Sequence, residues 1–246
     1  VIDINPKKCS RIKNTLDVHV VEGDGCSQRV LQSIEMDSVD YLLALTGIDE
    51  INLVSSQISK KIGAKNAFGF DLSAACSAFL FALDCGAKYI SSGQCKKVIV
   101  VGADKMSSIV DYSDRKTCVI FGDGAGAVLL ERCNDGDESR VLSTHIHSDG
   151  THAEELVCKH PGSVKKDRVT NEMLEDGSLL PYMNGQLVFK NAVQRFPEVI
   201  NEALTYNNLK SSDIDLMIPH QANLRISQFV QKLLRLPDEK VFNNIQ

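Results

Sequence analysis

Cys76 stands in the run Phe70-Asp71-Leu72-Ser73-Ala74-Ala75-Cys76-Ser77-Ala78-Phe79-Leu80, which reads as a short apolar strand entering a small-residue turn and an apolar helix. A thiol at a helix start meets unpaired amide groups and the positive end of the helix dipole, and both favour the nucleophilic thiolate. Such a cysteine can take an acyl group as a thioester and still be a good acyl donor. The same stretch also fits a buried structural cysteine, because free cysteine is among the most buried residue types. His220 lies in Asp213-Ile214-Asp215-Leu216-Met217-Ile218-Pro219-His220-Gln221-Ala222-Asn223, a buried-type strand stopped by a proline. Loops at strand ends form the crevice of α/β sheets, and a cysteine with a distant histidine is the pattern of a thiol enzyme. Gln221 and Asn223 add amide donors beside the imidazole.

Elements must deliver these groups. The apolar run Val98-Ile99-Val100-Val101-Gly102-Ala103-Asp104 reads as a buried strand. In Phe121-Gly122-Asp123-Gly124-Ala125-Gly126-Ala127-Val128-Leu129-Leu130 the glycines lead into a strand, not a helix, so this is no dinucleotide fingerprint. They fit a close backbone approach or a strained turn near a site. From 134 to 178 the chain is rich in charge and glycine, with a short strand expected at 141–147. Phe189, Ala192, Val193, Phe196, Val199, Ile200 and Ala203 form one helical face, which core packing explains without a ligand.

Composition narrows the function classes. The 246 residues are 43% hydrophobic with a formal net charge of −5, enough for one or two cores and unlike a nucleic-acid binder. Cysteines 9, 26, 76, 85, 95, 118, 133 and 158 show no C-x-x-C spacing and read as reduced thiols of a cytoplasmic protein. Apolar runs fall far short of the ~20 residues of a spanning helix. His145, His147, His152 and His160 flank a charged loop with no matching acid, so a solvated loop is expected rather than a metal site.

Five segments, in order, carry a resemblance. They are Ala75-Cys76-Ser77; the 98–104 run; Asp114-Arg115-Lys116-Thr117-Cys118 leading into 121–127; Met183-Asn184-Gly185 with Val188-Phe189-Lys190; and Pro219-His220-Gln221-Ala222-Asn223. Through them residues 62–246 resemble β-ketoacyl-acyl-carrier-protein synthase III, a thiolase-like α/β condensing enzyme. The resemblance implies that Cys76 takes a short acyl group from coenzyme A and yields it to a carbanion made by decarboxylating malonyl-acyl carrier protein. His220 would stabilise the enolate oxygen, where one such donor is worth roughly 3 kcal/mol. It further implies Arg115 near the nucleotide end of coenzyme A, Asn184 and Gly185 in a loop lining the pantetheine tunnel, and Asn223 at the second-step site or the pantetheine arm. No permanent cofactor or metal is expected; the coenzyme A thioester is a substrate. The intact protein is expected to be a homodimer. The family's partner asparagine sits in a Gly-Asn-Thr turn that this chain lacks, and Asn243 and Asn244 are not assigned that role. Ala78 stands where many members have glycine, and the family's adenine-gripping tryptophan has no counterpart in a chain without tryptophan.

Residues 1–61 resemble something else. Val1-Ile2-Asp3-Ile4-Asn5-Pro6, Val18-His19-Val20-Val21-Glu22-Gly23-Asp24-Gly25 and Tyr41-Leu42-Leu43-Ala44-Leu45-Thr46-Gly47 are apolar strands with polar ends. They resemble part of the nucleotide-binding domain of Trk-type potassium-uptake regulators, a partial Rossmann-like segment. That resemblance would put Asp3 on a ribose of NAD and Gly23-Asp24-Gly25 near the adenine. A helix N-terminal charge is the favoured reading of Asp3, because the phosphate-cradling glycine loop is missing. The two resemblances meet near Lys60-Lys61-Ile62-Gly63-Ala64-Lys65-Asn66, at a helix ending at Gly63 and a strand beginning near Ala67. The expectation is a chimera: an incomplete thiolase-like fold, truncated at both ends and preceded by the Rossmann-like piece. The alternatives are an NAD-binding regulatory subunit and an inactive fragment.

Overall fold

The computed structural model describes residues 2–3, 10, 21–22, 41–43, 67–134, 136–137, 139–163 and 166–245. The expected helix end at Gly63, the Gly23-Asp24-Gly25 turn, and Cys9 and Cys26 lie outside them. The chain divides into two units, Val1–Lys105 with Asp123–Thr144, and Met106–Gly122 with His145–Gln246.

The first unit is a mixed five-stranded sheet. Its strands are β1 (Ile2–Asp3), β2 (Val21–Glu22), β3 (Tyr41–Leu43), β4 (Lys97–Lys105) and β5 (Asp123–Glu131), in the order β2-β1-β5-β4-β3. β4 and β5 are antiparallel from Lys97↔Glu131 to Lys105↔Asp123. β1 runs parallel to β2 and antiparallel to β5, and β3 runs parallel to β4. Strands from residues 1–61 and from the later chain therefore share one sheet. Val98, Ile99, Val100 and Val101 are all buried, as a continuous apolar run demands of a strand covered on both faces.

Helix α1 (Ala78–Ser91) lies on this sheet. Ala82 and Ile90 join Cys95, Val98 and Val100 in a core against which Phe70, Leu72, Phe79, Tyr89, Val128 and Leu130 pack. Residues 67–74 are irregular, so the strands expected at Phe70 and from Ala67 do not form: Phe70 and Leu72 reach the core as side chains without a ladder. Gly124 and Gly126 lie inside β5, which begins earlier than the apolar run alone indicates. A Cβ at Gly122 or Gly124 would meet nothing within 4 Å, so neither serves a close approach among the described residues.

The second unit rests on two helices, α3 (Gly185–Tyr206) and α4 (Leu224–Leu234). The α3 stripe expected from periodicity, Phe189, Ala192, Val193, Phe196 and Ile200, packs on Ile226, Val230, Leu234, Leu236 and Val241. Before α3 come β6 (Leu156–Val157), the short α2 (Asn171–Glu175) and β7 (Tyr182–Met183), with β6 and β7 antiparallel. The strand expected over 213–218 is a 3-10 turn, Ser211–Asp213, followed by one parallel bridge, Met217↔Val241. Among the described residues only two backbone hydrogen bonds join these segments, from Met217 N to Lys240 O (2.8 Å) and from Phe242 N to Met217 O (2.9 Å), too few for a ladder. No strand forms at 141–147 either. Among the described residues no helix is long and apolar enough to cross a membrane.

Candidate active site

Cys76 occupies a single 3-10 turn, Ala75–Ser77, directly before α1. Ala75 has φ 46°, a left-handed conformation that a residue with a Cβ adopts at a cost of order 1–3 kcal/mol. Ser77 N closes the turn on Ala74 O at 3.1 Å. The strain therefore sits immediately before the thiol, at the change from irregular chain to helix. Cys76 keeps an exposed face, yet the protein atoms packed around its sulfur raise its pKa above the ordinary thiol value. The Asp104 carboxylate adds to the rise, and a backbone hydrogen bond at Cys76 works against it. This reverses the direction expected from the helix start: desolvation and a like charge outweigh the dipole.

The remaining candidates belong to the second unit. His220 is exposed, just beyond Pro219. The Gln221 amide does not serve the imidazole: Nε2 donates to Pro219 O (2.8 Å) and Phe242 O (3.0 Å), while Oε1 accepts from Asn244 N (2.9 Å). Gln221 thus ties the His220 segment to residues 242–244. Asn223 is the N-cap of α4, its Oδ1 accepting from Arg225 N at 2.9 Å. Arg115 is exposed in a turn stapled by Asp114, whose carboxylate accepts from Lys116 N (3.0 Å) and Thr117 Oγ1 (2.8 Å).

Asn184 is the N-cap of α3, with Oδ1 accepting from Leu187 N at 3.3 Å. Its Nδ2 donates to Glu155 Oε2 at 2.9 Å. Gly185 opens α3, and a Cβ there would make only ordinary contact, 3.6 Å from Met183 Cε.

Three acids were not singled out from the sequence. Asp104 ends the apolar run of β4, and an acid at a strand end is a usable signal. Glu155 carries none. Glu202 supplies the acid for two of the loop histidines, accepting from His145 Nδ1 at 3.1 Å and His147 Nε2 at 2.6 Å. The segment 145–149 is thus strapped along α3, with Arg195 pairing Asp149 at 3.3 Å, and is not merely solvated. The i, i+2 spacing of the histidines on an extended chain was the available signal. No group of three metal-binding side chains occurs among the described residues.

Residues 70–150 match the family model of 3-oxoacyl-(acyl-carrier-protein) synthase III, and residues 204–246 match the model of its C-terminal part. The chain is 33% identical to the synthase III of Aquifex aeolicus VF5, with a TM-score of 0.73 over 97% of this chain and 76% of that one. The chain belongs to the synthase III family. The Koribacter versatilis synthase III is 45% identical over 190 residues, 77% of this chain and 56% of that protein. The Chlorobaculum tepidum synthase III is 41% identical over 216 residues, 87% and 65% respectively. The chain thus spans between about half and two thirds of those two synthases. Residues 1–68 match a second model, the TrkA-N domain.

Proposed function

We propose that this chain carries the acylation and condensation residues of a β-ketoacyl-acyl-carrier-protein synthase III. The observation that carries the reading is Cys76 on a strained turn at the head of α1, within the span matched by the synthase III model. In the first half-reaction the Cys76 sulfur attacks the carbonyl of an acyl-coenzyme A. The carbon–sulfur bond to coenzyme A breaks, and the coenzyme leaves as its thiol. Because the Cys76 pKa is raised, loss of its proton is part of this step. In the second, malonyl-acyl carrier protein loses carbon dioxide. The resulting carbanion attacks the acyl-cysteine carbonyl and expels the cysteine sulfur, giving a β-ketoacyl thioester. His220 holds the enolate oxygen during decarboxylation. Arg115 meets the nucleotide end of coenzyme A; Asn184, Gly185 and Asn223 border the pantetheine path. No resident cofactor is invoked, and on this reading the protein works in the cytoplasm as a homodimer.

The test separates the half-reactions. Incubation with acetyl-coenzyme A followed by peptide mass spectrometry should show acetylation at Cys76 that Cys76→Ala abolishes. His220→Ala should still be acetylated while losing about 10²–10³ in malonyl-carrier decarboxylation. Absence of acetylation in the unaltered chain would defeat the reading.

We also propose that residues 1–61 are a TrkA-N-like piece joined to a condensing-enzyme domain at 62–246. The support is the TrkA-N match over residues 1–68. A single long read of source DNA across the codons for residues 54–76 decides it. One continuous frame establishes the join, whereas two separate genes would remove residues 1–61 from the functional account.

A further inference from the structure

Asn184 spends every kind of polar group it has on its own scaffold. Its backbone N donates to Glu155 O at 2.8 Å, and its backbone O accepts from Val188 N at 3.0 Å. Its Oδ1 caps α3, and its Nδ2 goes to the Glu155 carboxylate. Two of these four contacts are to one residue. The register explains why: β6 and β7 pair Val157↔Tyr182 and Leu156↔Met183, so the next step along the antiparallel ladder sets Glu155 opposite Asn184. Glu155 ends the 3-10 turn Ala153–Glu155, so it reaches Asn184 from a separate turn and grips both its main chain and its side chain.

We infer that Glu155 is a positioning residue for the 182–185 loop, fixing through Asn184 the entry to α3 that borders the pantetheine arm. This rests on the reading of that loop as thioester-binding. The loop then meets the substrate by its backbone path and by Gly185, while the Asn184 carboxamide serves to lock that path. A hydrogen bond to a carboxylate is stronger than a neutral one, and its part-buried setting makes an unpaired Nδ2 costly. Losing the Glu155 carboxylate would strand Nδ2 and loosen the Asn184 carboxamide, although the backbone bond to residue 155 and the cap on Leu187 N stay, and a small misplacement is enough to slow a positioned reaction.

Two acyl donors test this in the full chain. Acetyl-coenzyme A carries the pantetheine arm; p-nitrophenyl acetate delivers the same acetyl group to Cys76 without it. In Glu155→Ala the acetyl-coenzyme A concentration giving half-maximal acetylation of Cys76 should rise roughly tenfold. The rate with p-nitrophenyl acetate should hold at the wild-type value. Glu155→Gln, which keeps an acceptor for Nδ2, should restore most of the loss. Equal slowing with both donors would show general damage and overturn the inference, as would an unchanged half-maximal concentration in Glu155→Ala. If the unaltered chain takes acetyl from p-nitrophenyl acetate but never from acetyl-coenzyme A, the thioester reading itself falls. That outcome is visible before any Glu155 variant is compared.

Discussion

Asp104 opposes ionisation of the Cys76 thiol. Burial of the sulfur is the larger cause of its raised pKa, and the carboxylate at the end of β4 is the second. Both disfavour the thiolate, so the nucleophile is held mostly as thiol near neutral pH and its reactivity should climb as pH rises through and beyond the ordinary thiol value. Replacing Asp104 by Asn removes the second cause only. Iodoacetamide labelling of Cys76 should then quicken near neutral pH, by about two- to threefold because an exposed carboxylate acts through solvent. The midpoint of the labelling profile should move to lower pH. An unmoved profile would mean that desolvation alone sets the thiol.

Glu202 gives the second unit a pH dependence of known sign. Its pKa is lowered, chiefly by the hydrogen bond from His147 and then by that from His145. A depressed carboxyl pKa contributes stability that is present above the unfolded value and lost as pH falls through the folded one. The thermal midpoint of the wild type should therefore exceed that of Glu202→Gln at pH 6–7, with the gap closing once acid has protonated the carboxyl. Protection of segment 145–149 in amide exchange should follow the same course. A gap of equal size at every pH would show that the carboxylate charge does not hold the strap.

A side chain at residue 86 would crowd the sheet. A Cβ there would lie 2.9 Å from Leu130 Cδ1 and 3.2 Å from Val100 Cγ2 and Val98 Cγ1, and both valines are wholly buried. Glycine lets α1 sit directly on the sheet, and α1 carries the Cys76 turn at its head. Gly86→Ala should lose about 0–2 kcal/mol, an overpacking cost of ~1–3 kcal/mol less the ~1 kcal/mol that alanine gains in a helix. Denaturant unfolding measures it; a stabilised variant would mean that Leu130 turns aside freely.

Much of this was legible in the residues themselves. The four consecutive valine and isoleucine residues of β4, the small-residue turn before α1 and the 3.6-residue stripe of α3 each follow from local sequence, because one face or one covered strand dictates its own pattern. What the chain did not disclose depended on partners far along it. Phe70-Asp71-Leu72 and 141–147 look like strands, but a strand needs a ladder, and no strand among the described residues pairs with them. The thiol of Cys76 looks activated by its helix, yet the sign of its shift is set by surrounding mass and by Asp104, twenty-eight residues away in sequence. Asn184 and Asn223 read as ligand contacts by resemblance. Their capping roles emerge only where α3 and α4 begin, and Glu155 becomes visible only once β6 and β7 are paired.

Ser227 supplies a test with the opposite direction. It is wholly buried in α4, and its Oγ finds no hydrogen-bond partner among the described residues. A hydroxyl taken from water without compensation costs about 1–3 kcal/mol, and serine is also a poorer helix former than alanine. Ser227→Ala removes the orphaned group while leaving the neighbouring Ile226 and Val230 in place. The variant should be more stable by about 1 kcal/mol, a rise in thermal midpoint of roughly 2–4 °C for a chain of this size. Because Asn223 caps the same helix through its own side chain and its backbone O, the His220 segment should keep its position, and the rate of any step assigned to His220 should not change. A loss of stability would show that the hydroxyl is satisfied after all, by a group that a serine-to-alanine exchange strands.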